Sequence, residues 1–333
     1  MTDISVIIVH YKCGKGLLDC IKSVVKQTLK PKKLIIVENS PIGPSLLNSV
    51  KRCIEDIDLR LIKPGANIGY AKAVNLAVKS AVDSEYILLL NCDVELVSKN
   101  YIEKLVNVLE SYPKCYAASG LLLFNDNLIW SCGALFDSIT GFNWHLFWKE
   151  SENATSKNKL LIVDYIPFAA ALMDKKILTE LGFLDEDFFV YCEDLDFALR
   201  AKRKGYIPLV DTSIRAIHHI EMGKRSSFLF RYYHQYKGNL RIFLRHLKPH
   251  NILTASLFWT LGLSLVETLY LKVHPIYHLL KLNALIRNLS SVKEDILKRR
   301  KYKIYGSGLY PKPKVRKAFK AMFRHAKLRG HSW

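Results

Sequence analysis

Apolar positions in the amino-terminal third of the chain follow two alternating rhythms. Ile4 to Val9 is a short apolar run of strand length. Leu17, Leu18, Ile21, Val24 and Val25 then recur at helical spacing up to about Thr28, and Pro31 blocks continuation. Leu34 to Val37 reads as a second buried strand, closed by Glu38-Asn39-Ser40. A helix over Leu46 to Ile54, a strand over Leu59 to Ile62, and a helix with Val74, Ala77, Val78 and Ala81 on one face follow. Tyr86 to Leu90 is an apolar run typical of a strand covered on both faces of a parallel sheet. Ser98 reads as the N-cap of a helix through Tyr101, Ile102, Leu105, Val106 and Leu109 that stops before Pro113. The β-α-β order predicts parallel strands joined by right-handed crossovers, the pattern of a nucleotide-binding type of half.

The rhythm changes after Tyr116. Tyr116 to Phe124, Ile129 to Phe136 and Leu160 to Ile166 read as extended segments with no long helix between them, and polar Lys149 to Lys159 as a mobile loop. A helix with Leu195, Ala198 and Leu199 inward ends near Gly205, and a short strand around Ile207 to Val210 precedes His218-His219. Beyond Arg245 the character shifts again. Ile252 to Leu271 is almost wholly apolar and long enough to cross a bilayer, but Glu267 would be expensive in hydrocarbon. Basic residues flank it on both sides, leaving three readings open: a buried packing helix, an interfacial helix, or a membrane span. Lys293 to Arg329 is rich in Lys and Arg, with Glu294 and Asp295 its only acids. The expected organisation is a larger α/β domain over residues 1–245 and a helical, basic, membrane-associating region over 246–333.

With 333 residues, 50% of them apolar, the chain can bury a substantial core as one large domain or two smaller ones. A net charge of +20 and a pI near 9.5 point to nucleic acid, an anionic membrane or a polyanionic substrate. The basic excess sits in the tail, and no nucleic-acid motif with interleaved aromatics is found, which argues against nucleic acid. The 7 cysteines form no CxxC pair and no zinc spacing, the pattern of reduced thiols in a cytosolic setting. No charged n-region with a cleavage site opens the sequence, so no signal peptide is expected.

Three places carry candidate chemistry. Asn91 and Asp93 end the Tyr86–Leu90 run, where open α/β sheets bind ligands. They suit a hard cation with a diphosphate, or simply a strand-end turn. Glu193, Asp194 and Asp196 open a helix, where the dipole favours carboxylates and Asp196 can pair with Arg200. Phe188, Phe189 and Tyr191 frame them, and a carboxylate on an apolar rim can act as a general base. Adjacent strand residues point to opposite faces, so at most one of His218 and His219 can join Asp93. Gly69 could let the backbone approach a ligand at a helix start.

From Ile4 to Leu244 the chain resembles the family-2 glycosyltransferases with a GT-A fold, and within them bacterial rhamnosyltransferase-like enzymes. Five ordered motifs carry the likeness. They are Ser5-Val6-Ile7-Ile8-Val9-His10-Tyr11; Val37-Glu38-Asn39-Ser40; Asn67-Ile68-Gly69-Tyr70-Ala71 through Asn75; Leu90-Asn91-Cys92-Asp93; and Phe189 to Asp196 with Arg200. The resemblance implies a Rossmann-like nucleotide-binding α/β fold, a mixed sheet flanked by helices, with the helical basic extension behind it. It implies that Val9, Tyr11 and Glu38 flank a nucleobase and that Asn67, Gly69 and Asn75 line a nucleotide-sugar pocket. Asn91-Cys92-Asp93 matches the Asp-x-Asp element, with Asp93 and His218 near Mg²⁺ or Mn²⁺ and the diphosphate. Asp194 matches the catalytic base of an inverting transfer. The family more often has Asp where Glu38 and Asn91 stand. The implied donor is a nucleotide sugar, dTDP-L-rhamnose first and a UDP-hexose second. The implied acceptor is a lipid-linked saccharide of bacterial surface-polysaccharide synthesis, met by a peripheral enzyme at the cytoplasmic face of an anionic inner membrane. A basic nucleotide- or nucleic-acid-binding protein, and a catalytically silent module of this fold, are the competing classes.

Overall fold

The computed structural model describes residues 3–54, 56–155, 159–220, 228–271, 278–289 and 291–301, and residues 316, 317 and 320. Most of the basic stretch expected up to Arg329 therefore lies outside the described residues.

The amino-terminal half alternates as its apolar rhythm predicts. Strands β1 (Ile4–His10), β2 (Lys33–Glu38), β3 (Asp58–Ile62) and β4 (Tyr86–Asn91) are separated by helices α1 (Gly16–Val25), α2 (Pro44–Cys53) and α3 (Tyr70–Ser80). All four strands run parallel, with β1 between β2 and β4, and Val9 registers against both Val37 and Asn91. Alternation along β1 divides the core between two faces. Ile7 and Val9 pack with α3 on one face, and Ile4, Val6 and Ile8 pack with α1 on the other.

The sheet then becomes mixed. Strand β5 (Val94–Leu96) leads to helix α4 (Tyr101–Ser111), strand β6 (Cys115–Leu123), short strands β7 (Ile129–Ser131), β8 (Ala134–Phe136), β9 (Asn143–His145) and β10 (Leu160–Ile162), and strand β11 (Ala170–Asp174). Helices α5 (Lys175–Glu180) and α6 (Glu193–Arg203) precede the long strand β12 (Ile207–His218). The ten-stranded sheet runs β10-β12-β6-β11-β4-β1-β2-β3, with β5 on β12 and β7 on β6; β8 and β9 form a separate pair.

Several expectations are corrected here. Ser98 is not the cap of α4: Asn100 stands there, and the Ser98 hydroxyl accepts the Arg215 N–H at 2.9 Å. The extended run Ile129 to Phe136 breaks at Gly133, whose positive φ turns the chain against Val163. Lys149 to Lys159 contains a 3-10 turn at Glu152–Ala154, fixed by an Arg215–Glu152 ion pair at 2.6 Å; residues 156–158 lie outside the described residues. The strand seen around Ile207–Val210 continues to His218 across a register shift between Asp211 and Arg215, where polar Asp211, Thr212 and Ser213 mask it in the sequence.

Helix α7 (Phe228–His246) packs on α6 and carries the carboxyl-terminal region. There, helix α8 (Pro249–Leu257), a π-helical turn (Phe258–Gly262) and helix α9 (Leu263–Leu271) run on as one rod, followed by helices α10 (His278–Leu289) and α11 (Val292–Lys301). Ala255, Trp259 and Ala284 belong to the same core as β1, α3 and α6. Glu267 faces that interior, where its carboxylate accepts from Lys281 Nζ at 2.9 Å and from the Tyr232 hydroxyl at 2.8 Å.

Candidate active site

Parallel pairing delivers the carboxyl ends of β1, β2 and β4 to one rim. Val9 is the penultimate residue of β1, which is buried throughout, and Tyr11 sits in the bend after the strand under the Lys12 ammonium, 5.3 Å from the ring centroid. Glu38 ends β2; one carboxylate oxygen accepts the Ile42 N–H at 2.8 Å and the other lies 3.5 Å from Lys63 Nζ. Asn91 ends β4, half-buried, with its N–H donated to Ala169 at 2.8 Å. The same pairing corrects the expectation for the thiols. Cys13 and Cys92 follow neighbouring strands and are joined as a disulfide with Cα atoms 6.0 Å apart, while Cys20, Cys53, Cys115, Cys132 and Cys192 are free.

Asp93 is buried just past the rim, and His218 Nε2 lies 3.3 Å from its Oδ2. Antiparallel pairing of β12 with β5, His218 against Val94, brings them together. Trp130 stands edge-on to the His218 ring, centroids 4.4 Å apart, and fixes its plane. His219 turns away to Glu95, 3.2 Å off, as alternation requires. A carboxylate and an imidazole at this spacing suit adjacent ligands of one divalent cation, which sit about 3 Å apart when each is ~2.1 Å from the ion. His218 Nδ1 is buried with no hydrogen-bond partner among the described residues, a polar atom in need of one. No cluster of three or more His, Cys, Asp or Glu occurs among the described residues. A cation here would take its remaining ligands from phosphate and water, as Mg²⁺ commonly does.

The loop ahead of α3 locks onto a second loop far along the chain. Gly69 has φ +84°, and a Cβ there would meet the Phe189 carbonyl oxygen at 2.5 Å. The glycine thus admits a protein backbone rather than a ligand, and the Tyr70 N–H donates to that carbonyl at 2.6 Å. Asn67 accepts the Gly69 N–H at 3.0 Å, and Asn39 donates to the Gly69 carbonyl at 3.0 Å. Asn75 is buried; it accepts the Leu184 N–H at 3.0 Å and donates to the Leu184 carbonyl at 2.8 Å and to Glu186 at 3.0 Å.

That second loop leads into α6. Tyr191 and Cys192 both adopt positive φ, so the helix opens abruptly at Glu193, with Asp194 in its first turn. The Tyr70 hydroxyl donates to Phe168 at 2.8 Å, next to the Ala169 carbonyl that holds Asn91. Burial raises the Tyr70 phenol well above its usual range, helped by the charges of Glu193 and Asp194. Asp194 therefore lies close enough to Tyr70 for its charge to act on the phenol. Its Oδ1 accepts the Leu195 N–H at 2.7 Å, and burial pushes its carboxyl above the ordinary range. Glu193 is raised too, by burial and then by Asp194, and its Oε2 has no hydrogen-bond partner among the described residues.

Asp196, one turn on, behaves oppositely. It is fully buried, yet Arg200 at 2.9 Å and His246 Nε2 at 2.7 Å outweigh desolvation and hold its carboxyl far below the usual range. Burial, then Arg203, pulls His246 down to about 4. The neutral ring accepts Arg203 at Nδ1, 2.8 Å away, and donates to Asp196 from Nε2. Arg245, on the same last turn of α7, binds Asp185 at 3.1 Å and Asp295 at 2.6 Å and also pairs with Asp187, joined by Lys298 of α11. Gly238 lets α7 close on this helix start, since a Cβ would meet Cys192 Sγ at 2.9 Å. Sequence reasoning missed His246, Arg203, Arg245, Asp185 and Gly238. A signal existed only for the last turn of α7, in the adjacent basic pair Arg245-His246. The hollow lined by Ser84, Glu85, Asp174 and Lys175 lies at the opposite end of β4.

A mixed, mainly parallel sheet flanked by helices, with polar residues at its strand ends, is the architecture of the GT-A class of glycosyltransferase folds. The chain belongs to glycosyl transferase family 2, whose profile it matches over residues 5–182. It is 27% identical over 233 residues to the O-antigen biosynthesis protein RfbC of Myxococcus xanthus, covering 66% of this chain and 18% of that protein. It is 23% identical over 240 residues to an N-acetylglucosaminyl-diphospho-decaprenol L-rhamnosyltransferase of Mycobacterium tuberculosis, covering 66% and 77% of the two chains. In three dimensions it resembles GalNAc-T7 bound to UDP, GalNAc and Mn²⁺, with a TM-score of 0.61 at 14% identity over 94% of this chain and 59% of that one. The chain thus spans less than a fifth of the M. xanthus protein and less than two thirds of GalNAc-T7.

Proposed function

We propose that the chain is an inverting glycosyltransferase that moves L-rhamnose from dTDP-L-rhamnose to a hydroxyl of a lipid-linked saccharide in bacterial surface-polysaccharide synthesis. It works peripherally at the cytoplasmic face of an anionic inner membrane. The observation that carries the reading is the Asp93–His218 pair just past the end of β4, with the buried Asp194 near enough for its charge to act on Tyr70. The mycobacterial relative's name supports rhamnose and a polyprenyl-linked acceptor.

Asp194 is the base. Leu195 occupies Oδ1, so Oδ2 takes the acceptor hydroxyl proton as that oxygen attacks the anomeric carbon. The bond from the anomeric carbon to the diphosphate oxygen breaks, its electron pair leaves with the nucleotide, and configuration inverts. A carboxyl raised by burial is a stronger base near neutrality than an ordinary one. Asp93 and His218 would hold Mg²⁺ or Mn²⁺, which would offset charge on the leaving diphosphate. Val9, Tyr11 and Glu38 face the nucleobase, and Asn91 the ribose or diphosphate. Asn67 and Gly69 shape the pocket wall, and Asn75 braces it from behind through Leu184.

A thermal-shift panel of nucleotide sugars with and without Mn²⁺ tests this. Stabilisation by dTDP-L-rhamnose is expected; stabilisation by UDP-hexoses alone would transfer the assignment to a hexose donor.

A further inference from the structure

The rod formed by α8, the π-helical turn and α9 presents two unlike faces. Toward the domain it buries Ala255, Trp259 and Glu267. Toward solvent it carries a leucine every fourth residue: Leu253, Leu257, Leu261, Leu265 and Leu269, each 48–67% exposed. In a pure α-helix four-residue steps overshoot a turn, and the row would wind away. The wider π-helical turn at Phe258–Gly262 makes the middle steps fall short and brings the row back into line. The row spans roughly 24 Å at 1.5 Å per residue. Beside it, α10 exposes Leu279, Leu282 and Ile286.

Charge selects the occupant. From Lys248 to Lys293 the only acid is Glu267, and it is buried against Lys281. Lys248, just ahead of α8, Arg287 of α10 and Lys293 of α11 are exposed. A second copy would bring like charges together on a chain of net charge +20; an anionic bilayer would not. The inner face also decides the depth. Glu267 is tied to Tyr232 of α7 and Lys281 of α10, and Lys281 further donates to the Trp259 carbonyl at 3.1 Å and to Ser264 at 2.8 Å. A transverse span would strip this cluster from the domain and carry it into hydrocarbon.

We propose that the leucine row and the outer face of α10 form a surface that lies flat in an anionic lipid interface, without crossing it. This deepens the reading that the acceptor is lipid-linked and rests on that reading only for its purpose.

The test is sedimentation of the full chain with phosphatidylglycerol-containing and pure phosphatidylcholine vesicles, with no donor or acceptor present. A wrong sugar or acceptor therefore leaves the outcome untouched. Binding to the anionic vesicles, at least about tenfold weaker on phosphatidylcholine and released by alkaline carbonate, is expected. The variant L257D/L261D/L265D should bind at least about tenfold more weakly with an unchanged Tm. The variant K248E/R287E should lose its preference for anionic vesicles. The proposal is overturned if the wild type stays in the supernatant, if it resists carbonate as an integral protein does, or if the leucine variant binds as well as the wild type. It is equally overturned if the leucine variant merely breaks a dimer.

Discussion

His218 Nε2 lies 3.3 Å from Asp93 Oδ2, although Asp93 sits in the turn before β5 and His218 ends β12, far along the chain; the pairing of β12 with β5 and the His219 N–H, donated to the Asp93 carbonyl at 2.8 Å, bring them together. Trp130 stands edge-on to the imidazole, which suits the cation-holding role proposed for the pair. His218→Ala is expected to weaken Mn²⁺–nucleotide binding by about 10–100-fold, the usual effect of losing a metal-site partner. Titration calorimetry with Mn²⁺ and nucleotide measures it, and His219→Ala, whose ring faces Glu95, should bind like the wild type.

Asp194→Asn should lower kcat by about 10²–10⁴-fold with little change in donor KM, since the amide keeps the Leu195 contact but accepts no proton. Burial raises this carboxyl, so the reactive carboxylate appears only as pH climbs past the ordinary carboxylate range. The acid limb of kcat/KM should therefore lie above that range and vanish in the variant. An acid limb at an ordinary carboxylate pKa would separate the base from Asp194.

Gly69→Ala tests the lock between the two loops. The new methyl would strike the Phe189 carbonyl at 2.5 Å on a backbone with φ +84°. A cost of about 1–3 kcal/mol is expected in urea unfolding. Donor turnover should fall as well, because Phe189 leads directly into the Asp194 helix.

His246 is neutral in the fold, pulled down to about 4 from 6.5 by burial and then by Arg203. Between these values the unfolded chain binds the extra proton, so its contribution is complete above pH 6.5 and is lost as pH falls toward 4. His246→Gln, whose amide can serve both Arg203 and Asp196, should flatten the stability–pH curve in that window. Chemical denaturation at stepped pH reads it; an unchanged slope would assign the acid sensitivity elsewhere.

Arg245 is fully buried among Asp185, Asp187 and Asp295. Arg245→Met leaves those carboxylates short of a partner and should destabilise the chain by about 3–5 kcal/mol. It should also loosen α11 from the 185–187 loop, visible as faster amide exchange in both.

The parallel half was legible because β1, β2 and β4 are apolar runs of about the right length and each helix has one apolar face. Its strand-end residues Asn91 and Asp93 were legible for the same reason, as polar punctuation after such a run. Strand β11 was not: Ala170-Ala171 carries none of the β-branched residues that mark a strand, yet small side chains are what fit between β4 and β6. The π-helical turn was also hidden, since the leucine row reads the same in either helical form.

Sequence alone determined the rhythm of the layers, the polar residues at the strand ends, the acidic helix start and the amphiphilic basic tail, because each is set by the order of side chains along a short segment. Tertiary structure alone decided which histidine meets Asp93, that Gly69 yields to Phe189 rather than to a ligand, and that Glu267 turns inward to Lys281. It also decided that Cys13 and Cys92 meet. Those outcomes depend on register and on helix rotation, which a single residue of slippage would reverse and which only the packed core fixes.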